Sequence, residues 1–549
     1  MKKITYMLLA AIFLLTALPM HATEAAGSHK IILSGEKRFE KSAQTEPGKS
    51  LRIESKNTNI TIIGSSQNKI EARAQVEISD ADDELVKEFF ENTQLLLEEG
   101  ADGFVLKVDT PRDKLRGSDK GLSRLLRLIF DGTTHISISI NLHVTVPEKY
   151  SISVSNKYGD LSIENVAGTF AITNDAGATN ISKAGGQLAL RGSYGEIVVT
   201  DFAGDIKLHN RNGVIYANNI GGNADVVTSY KRVRLNNING NLLLDASNGH
   251  VKASQIAGDC EVSSSYKEVE ISDVKGELVL RAPNGKIFVE NVGKNATIEN
   301  SYKPIRIENV QGALEIRASN SEIYAKKIAK NASVRSSYKS VQIFDVNGDL
   351  LVDGSNCPVE LADISGSVEI ISSYKPLIIN NVGGFLDIRG SNNQITASEI
   401  AGGGTIRSSY KSIDLTNIGG PLEIDGSNCA VRVDGAAGDV LIRSSYKFIE
   451  LLRTEGSITV HGNNSRVEIT SIRALPATAN IEIITTYKSL LLELPSNANA
   501  LIHARTTYGK IKTPHKLSIL DGDGKEVEIK LGNGSAPITL KSNNDIVIN

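Results

Sequence analysis

Apolar and polar positions alternate along most of this chain, and the pattern repeats itself at every eighteenth position. After Tyr230 the apolar positions are Val233, Leu235, Ile238, Leu242 and Leu244; after Tyr266 they are Val269, Ile271, Val274, Leu278 and Leu280. The stretches between use the same offsets with smaller residues, as in Val251, Ala253, Ile256, Cys260 and Val262 after Asn248. Two period-2 pairs separated by a single apolar residue and a glycine read as two short strands with one face inward, joined at a corner. Each 18-residue unit is therefore one coil, and large and small inward side chains alternate from coil to coil. A lone coil buries too little to offset the ordering of its own backbone, so the coils must stack.

Three columns mark the register. Tyr158, Tyr194, Tyr230, Tyr266, Tyr302, Tyr338, Tyr374, Tyr410 and Tyr446 stand 36 residues apart, and Asn212, Asn248, Asn284, Asn320, Asn356, Asn392, Asn428 and Asn464 stand midway between successive tyrosines. Glycine recurs at twice that frequency from Gly168 to Gly456, once per coil, interrupted only by Lys294 and Lys330. Such self-similarity predicts an all-β fold, a parallel β-helix of 18-residue coils, with the glycine supplying the backbone conformation that a sharp corner demands. The 288 residues from Tyr158 to Tyr446 make 16 coils, or roughly 77 Å at the spacing of paired strands.

The flanks differ. Lys2 and Lys3, a short apolar run and small residues near Ala22 predict a signal peptide over residues 1–26, and no later apolar stretch is long enough to cross a membrane. Residues 30–150 read as an N-terminal β region with a helical insert and cap. Within it, Leu51-Arg52-Ile53-Glu54 and Ile60-Thr61-Ile62 alternate as strands, as do residues 136–146. Residues 82–97 place Leu85, Phe89, Leu95 and Leu96 near one helical face. A second amphipathic stretch, 122–130, fits a flap over an open solenoid end, or a basic segment at an anionic membrane surface. Residues 151–473 are the regular repeats. Beyond them Tyr487 follows Tyr446 by 41 residues, with the extra five near Pro476, and Tyr508 follows by 21; residues 474–549 are expected to supply closing coils and a cap.

The run Val144-Thr145-Val146-Pro147, then Tyr158-Gly159-Asp160-Leu161-Ser162-Ile163 and glycine-punctuated strands, resembles bacterial β-helix families classed as adhesins, some of them autotransporter-adhesin-like heads. The likeness spans residues 30–549 and rests on repeat texture. It implies a right-handed helix, at a cell surface or in the envelope, and supplies no functional residues to transfer. The strict tyrosine and asparagine registers depart from the looser texture of that family.

Composition narrows the function further. A formal net charge of -3 over 549 residues gives no basic field for nucleic acid, and three cysteines are too few for a disulfide framework. Cys260 reads as a small buried hydrophobe. No metalloprotease motif, nucleophile elbow or phosphate loop occurs, so no cofactor or metal is expected. Asp521-Gly522-Asp523-Gly524 lacks the later ligand of a calcium loop and reads as a turn.

The candidate chemistry lies in seven repeated pairs: Tyr230 and Lys231, Tyr266 and Lys267, Tyr302 and Lys303, Tyr338 and Lys339, Tyr374 and Lys375, Tyr410 and Lys411, and Tyr446 and Lys447. One ammonium every two coils, about 9.6 Å, is close to the repeat of an extended disaccharide. One reading is a docking track for an anionic cell-surface or extracellular polysaccharide, with rings as stacking platforms and lysines as point charges. The other is structural. Small residues two before each ring, such as Thr228, Ser264 and Ser336, leave room for the ring to fold into the corner as core, with lysine a solvated edge charge. The asparagine row reads as turns suited to positive φ, with stacked amides forming ladders. The expectation is an exported, non-catalytic, adhesin-like β-helix; the alternatives are a polysaccharide lyase or hydrolase and a purely structural envelope rod.

Overall fold

The computed structural model describes residues 33–81, 83–111 and 136–549. The predicted signal peptide and the stretch 122–130 lie outside the described residues. The chain forms two compact units: the described parts of residues 1–37, 76–93 and 110–138, and a larger unit of residues 38–75, 94–109 and 139–549. In the smaller unit a helix spans Asp83–Glu91, with Asp83 and Glu84 at its N-terminus, where the backbone dipole favours negative charge. It buries Leu85, Phe89 and Phe90. The helical face expected over 82–97 therefore ends early. Leu95 and Leu96 belong instead to a strand, Gln94–Gly100, paired antiparallel with Gly103–Asp109.

Strand accounts for 63% of the chain and helix for 2%, so the fold is all-β, a parallel solenoid of about 18 turns. Each regular coil contributes two strands, as in Val233–Ile238 and Leu242–Ala246. Both stack on their counterparts in successive coils: Val233 on Val251, which in turn meets Val269, and Leu242 on Cys260, which in turn meets Leu278. Residues at the five apolar offsets are buried, Cys260 among them. The three cysteines are free, and burial pushes the Cys260 thiol up to about 12, so it stays protonated at neutral pH.

The corners are built differently from the expectation. The left-handed backbone recurs once per coil from Asn165 (φ 59°) to Ser471 (φ 57°), in a column held mostly by Asn and Asp, with Gly435 its one glycine. Asn and Asp tolerate this region best among residues with side chains. Here the amides form the ladder: Asn219 donates to Asp201 at 2.6 Å and Asn237 to Asn219 at 3.1 Å. The glycine column, by contrast, has positive φ at Gly186, Gly204 and Gly456 but not at Gly222, Gly240, Gly258 or Gly276. Its requirement is space. A Cβ on Gly222 would stand 2.2 Å from Asp205 Oδ1, and one on Gly258 2.1 Å from Asn241 Oδ1. Those oxygens accept the N–H groups of Asn223 and Asp259, at 2.7 and 2.8 Å, so each coil caps the turn of the next.

At the C-terminal end, chain order and stacking order part. The 23-residue step from Asn464 to Tyr487 holds the extra five residues, in the loop around Pro476, and Ile481–Thr485 then stacks on Ile458–Asn463. Ala536–Ser542 pairs in parallel with both Ile481–Thr485 and Ala500–Thr506, so the last segment of the chain lies between two earlier coils. Glu526–Leu531 runs antiparallel on the other side of Ala500–Thr506, and the short strand Ser518–Ile519 pairs antiparallel with it in turn. The N-terminal end mirrors this: Ser50–Glu54 lies between Gly103–Asp109 and Ser151–Asn156, outside chain order.

Candidate binding surface along the tyrosine edge

The tyrosine and asparagine rows occupy one turn of each coil. The residue two before each ring points inward and plugs that turn: Thr228, Ser264, Asn300, Ser336, Ser372, Ser408 and Ser444 are all buried. Ser372 Oγ donates to the carbonyl of Gly354 at 2.6 Å, and Asn300 Nδ2 to that of Gly285 at 2.7 Å. Asn300 Oδ1 also accepts the N–H groups of Tyr302 and Lys303, at 3.0 and 3.1 Å. At Asn300 and Ser372 the plug satisfies turn groups that would otherwise be buried without partners, whereas the hydroxyls of Thr228, Ser264 and Ser408 bond nothing.

The plug leaves the ring no space, which overturns the reading of the tyrosines as core. All nine repeat tyrosines, with Tyr487 and Tyr508, are exposed, from 50% at Tyr158 to 80% at Tyr508. Tyr338, Tyr374, Tyr410, Tyr446 and Tyr487 also have left-handed backbone, φ 60–73°. That conformation costs an L-residue roughly 1–2 kcal/mol, and a ring held in solvent recovers little of it. In the intervening coils Asn356, Asn392, Asn428 and Asn464 adopt the same conformation at small cost. Asparagine and tyrosine thus alternate in the stack, so the asparagine row cannot form the amide ladder expected of it.

The seven lysines are exposed alongside. None has an ion pair among the described residues. Lysines on the sheet faces do: Lys207 reaches Asp225 at 2.7 Å and Lys252 pairs with Glu270, one coil away. The edge lysines differ because the residues one coil away from them are Gly213, Gly249, Gly285, Ser321, Cys357, Asn393, Cys429 and Ser465, all buried and none acidic.

The row continues beyond the sequence repeat. The pairing of Gly462 with Thr485 brings Tyr487 level with Asn464, and the exposed Lys488 prolongs the lysine row as an eighth member. The pairings of Ile481 with Ile538 and of Ala500 with Ala536 place Asn544 between Tyr487 and Tyr508. At the other end Asn57 bridges to Tyr158. Up the stack the order is Asn57, Tyr158, Ala176, Tyr194, Asn212 and onward to Asn464, Tyr487, Asn544 and Tyr508, with Ala176 the one exception to the alternation. The repeated Tyr-Lys dipeptide makes Lys488 findable from sequence. Asn57 and Asn544 are not, because their level depends on strands paired outside chain order.

Shallow grooves also follow the face built from the second strand of each coil, one of about 730 Å³ lined by Asp205, Asp225, Asp259 and Glu261. Their carboxylates are occupied within the fold: Asp205 and Asp259 accept N–H groups of the next coil, Asp225 pairs with Lys207, and Glu261 pairs with Arg281 at 3.0 Å. Among the described residues no group of His, Cys, Asp and Glu is arranged to hold a metal ion. The Asp521 segment is a turn whose Asp521 Oδ1 accepts the Lys525 N–H at 3.0 Å.

Comparison with known proteins adds little. No family model matches the chain, and no curated protein does. A crystal structure of a "putative cell adhesion protein" from Clostridium sporogenes is similar to 40% of this chain and 99% of its own, with 11% identity and a TM-score of 0.18.

Proposed function

We propose that this protein is an exported, non-catalytic, adhesin-like solenoid of the cell surface or envelope, which binds an extended anionic glycan along its tyrosine edge. One observation carries this reading: five exposed rings, in register, on backbone that disfavours them. Strain that persists without burial marks a residue kept for something other than stability. An aromatic face in solvent, repeated at two-coil intervals, suits the stacking of sugar rings, and the unpaired lysines supply attraction for an acidic polymer.

The test compares the chain with its Tyr338→Asn, Tyr374→Asn, Tyr410→Asn and Tyr446→Asn variant on a glycan array. The asparagines already at alternate levels show that the backbone accepts them, so the variant is expected to melt no lower than the parent while losing glycan binding. Undiminished binding by the variant, or by one with the seven lysines changed to Ala, overturns the reading.

A further inference from the structure

Resting on that reading, we infer that the glycan carries one anionic group per two sugars, and that the edge engages eight such repeats, from Lys231 to Lys488. The period follows from two turn geometries. A tyrosine turn directs its next residue outward, as at Lys231 and Lys339, whereas an asparagine turn directs its next residue into the core, as at Cys357 and Cys429. At that position a cation is therefore available on alternate coils only, about 9.6 Å apart; Lys286 and Arg466, on asparagine coils, lie one residue further on and pair with Glu268 and Glu468. Between cations the ligand meets a half-buried asparagine, neutral and able to bond hydroxyl groups. A polymer with a carboxylate on every sugar would set half its charges against those neutral amides, where a hydrogen bond replaces an ion pair and offsets less of the desolvation.

The count follows from the ends. Three of the eleven exposed tyrosines are followed by glycine in place of lysine, and no side chain fits there. A Cβ would stand 2.5 Å from the Thr58 carbonyl oxygen at Gly159, 1.8 Å from the Gly177 carbonyl oxygen at Gly195, and 2.1 Å from the Asn544 carbonyl carbon at Gly509. The lysine position after the ring is thus bounded at both ends by backbone packing, and the terminal rings meet cations from elsewhere: Lys157 lies over the Tyr158 ring, 5.1 Å from its centroid, and Lys525 Nζ donates to the Tyr508 and Gly509 carbonyls.

The experiment measures affinity of the full chain for oligosaccharides of increasing length in three series: hyaluronan, with one carboxylate per disaccharide; oligogalacturonate, with one per sugar; and neutral cello-oligosaccharide. Affinity for the hyaluronan series is expected to rise with each disaccharide and level off at about eight, each added contact being intramolecular once the first is made. Oligogalacturonate of equal length is expected to bind more weakly. Lys488→Ala should lower affinity for the longest hyaluronan by about 2–5-fold, as Lys339→Ala does, the scale of one exposed charge pair. Equal or tighter binding of oligogalacturonate, or a Lys488→Ala variant indistinguishable from the parent while Lys339→Ala is weakened, overturns the inference and leaves the glycan reading standing. Failure of both acidic series to bind removes the glycan reading as well.

Discussion

In the body of the solenoid each coil lies on the one that precedes it in the chain; past Ile481 the chain skips a level, caps itself and returns to fill the gap. The two regions obey different sequence rules and build the same edge. In the body the alternation of ring and amide follows from a 36-residue period. At the C-terminal end the steps are irregular, and the level between Tyr487 and Tyr508 is occupied by Asn544, from a segment that comes after both in the chain. An alternation that outlasts its own repeat is not a by-product of copying one coil many times.

Removing residues 536–549 should separate the two regions most strongly. Ile481–Thr485 and Ala500–Thr506 then lose the strand they share. Amide exchange is expected to show full loss of protection over residues 500–531, with protection in the body intact, since stacked repeats are stabilised by their neighbours. Retained protection at 500–531 would mean that the two strands close on each other directly.

A smaller effect separates the regions by glycine. Gly258→Val drives a branched side chain into Asn241 and the Gly240 backbone, and is expected to destabilise the body by about 3 kcal/mol or more in denaturant melts. Gly522, in a terminal turn with nothing within 4 Å of a built Cβ, should accept Val within about 0.5 kcal/mol. Smaller again is the conformational contribution of the Asn and Asp column. Asn219→Ala should cost about 1 kcal/mol more than Asn219→Gly, since both lose the amide ladder and only glycine relaxes at φ 58°. Equal melting points for the two variants would show that the amides alone account for the Asn and Asp preference.

The fold was legible because periodicity reports which side chains face inward, and burial at Val233, Leu235, Ile238, Leu242 and Leu244 follows it closely. Corner chemistry was less legible. A recurring glycine has two physical causes, positive φ and close approach, and spacing alone cannot separate them; the Asx oxygen of the neighbouring coil decides for the second. The direction of the tyrosine rings was hidden for a related reason. Thr228 and Ser264 look like space for a ring, yet they are themselves buried in the turn, and at the equivalent positions Asn300 and Ser372 bond the turn's own carbonyls. The helix near the N-terminus ended early because Leu95 and Leu96 fit an amphipathic helix and a half-buried strand equally well, and pairing with Gly103–Asp109 settled it.

The late return of residues 536–548 also sets an order of assembly. Its slot lies between strands formed by earlier residues, so that end of the stack stays one level short until residues 536–548 dock. A product cut short by a dozen residues would carry its fault at that end, as a pair of unsatisfied strand edges, and leave the long middle of the molecule sound.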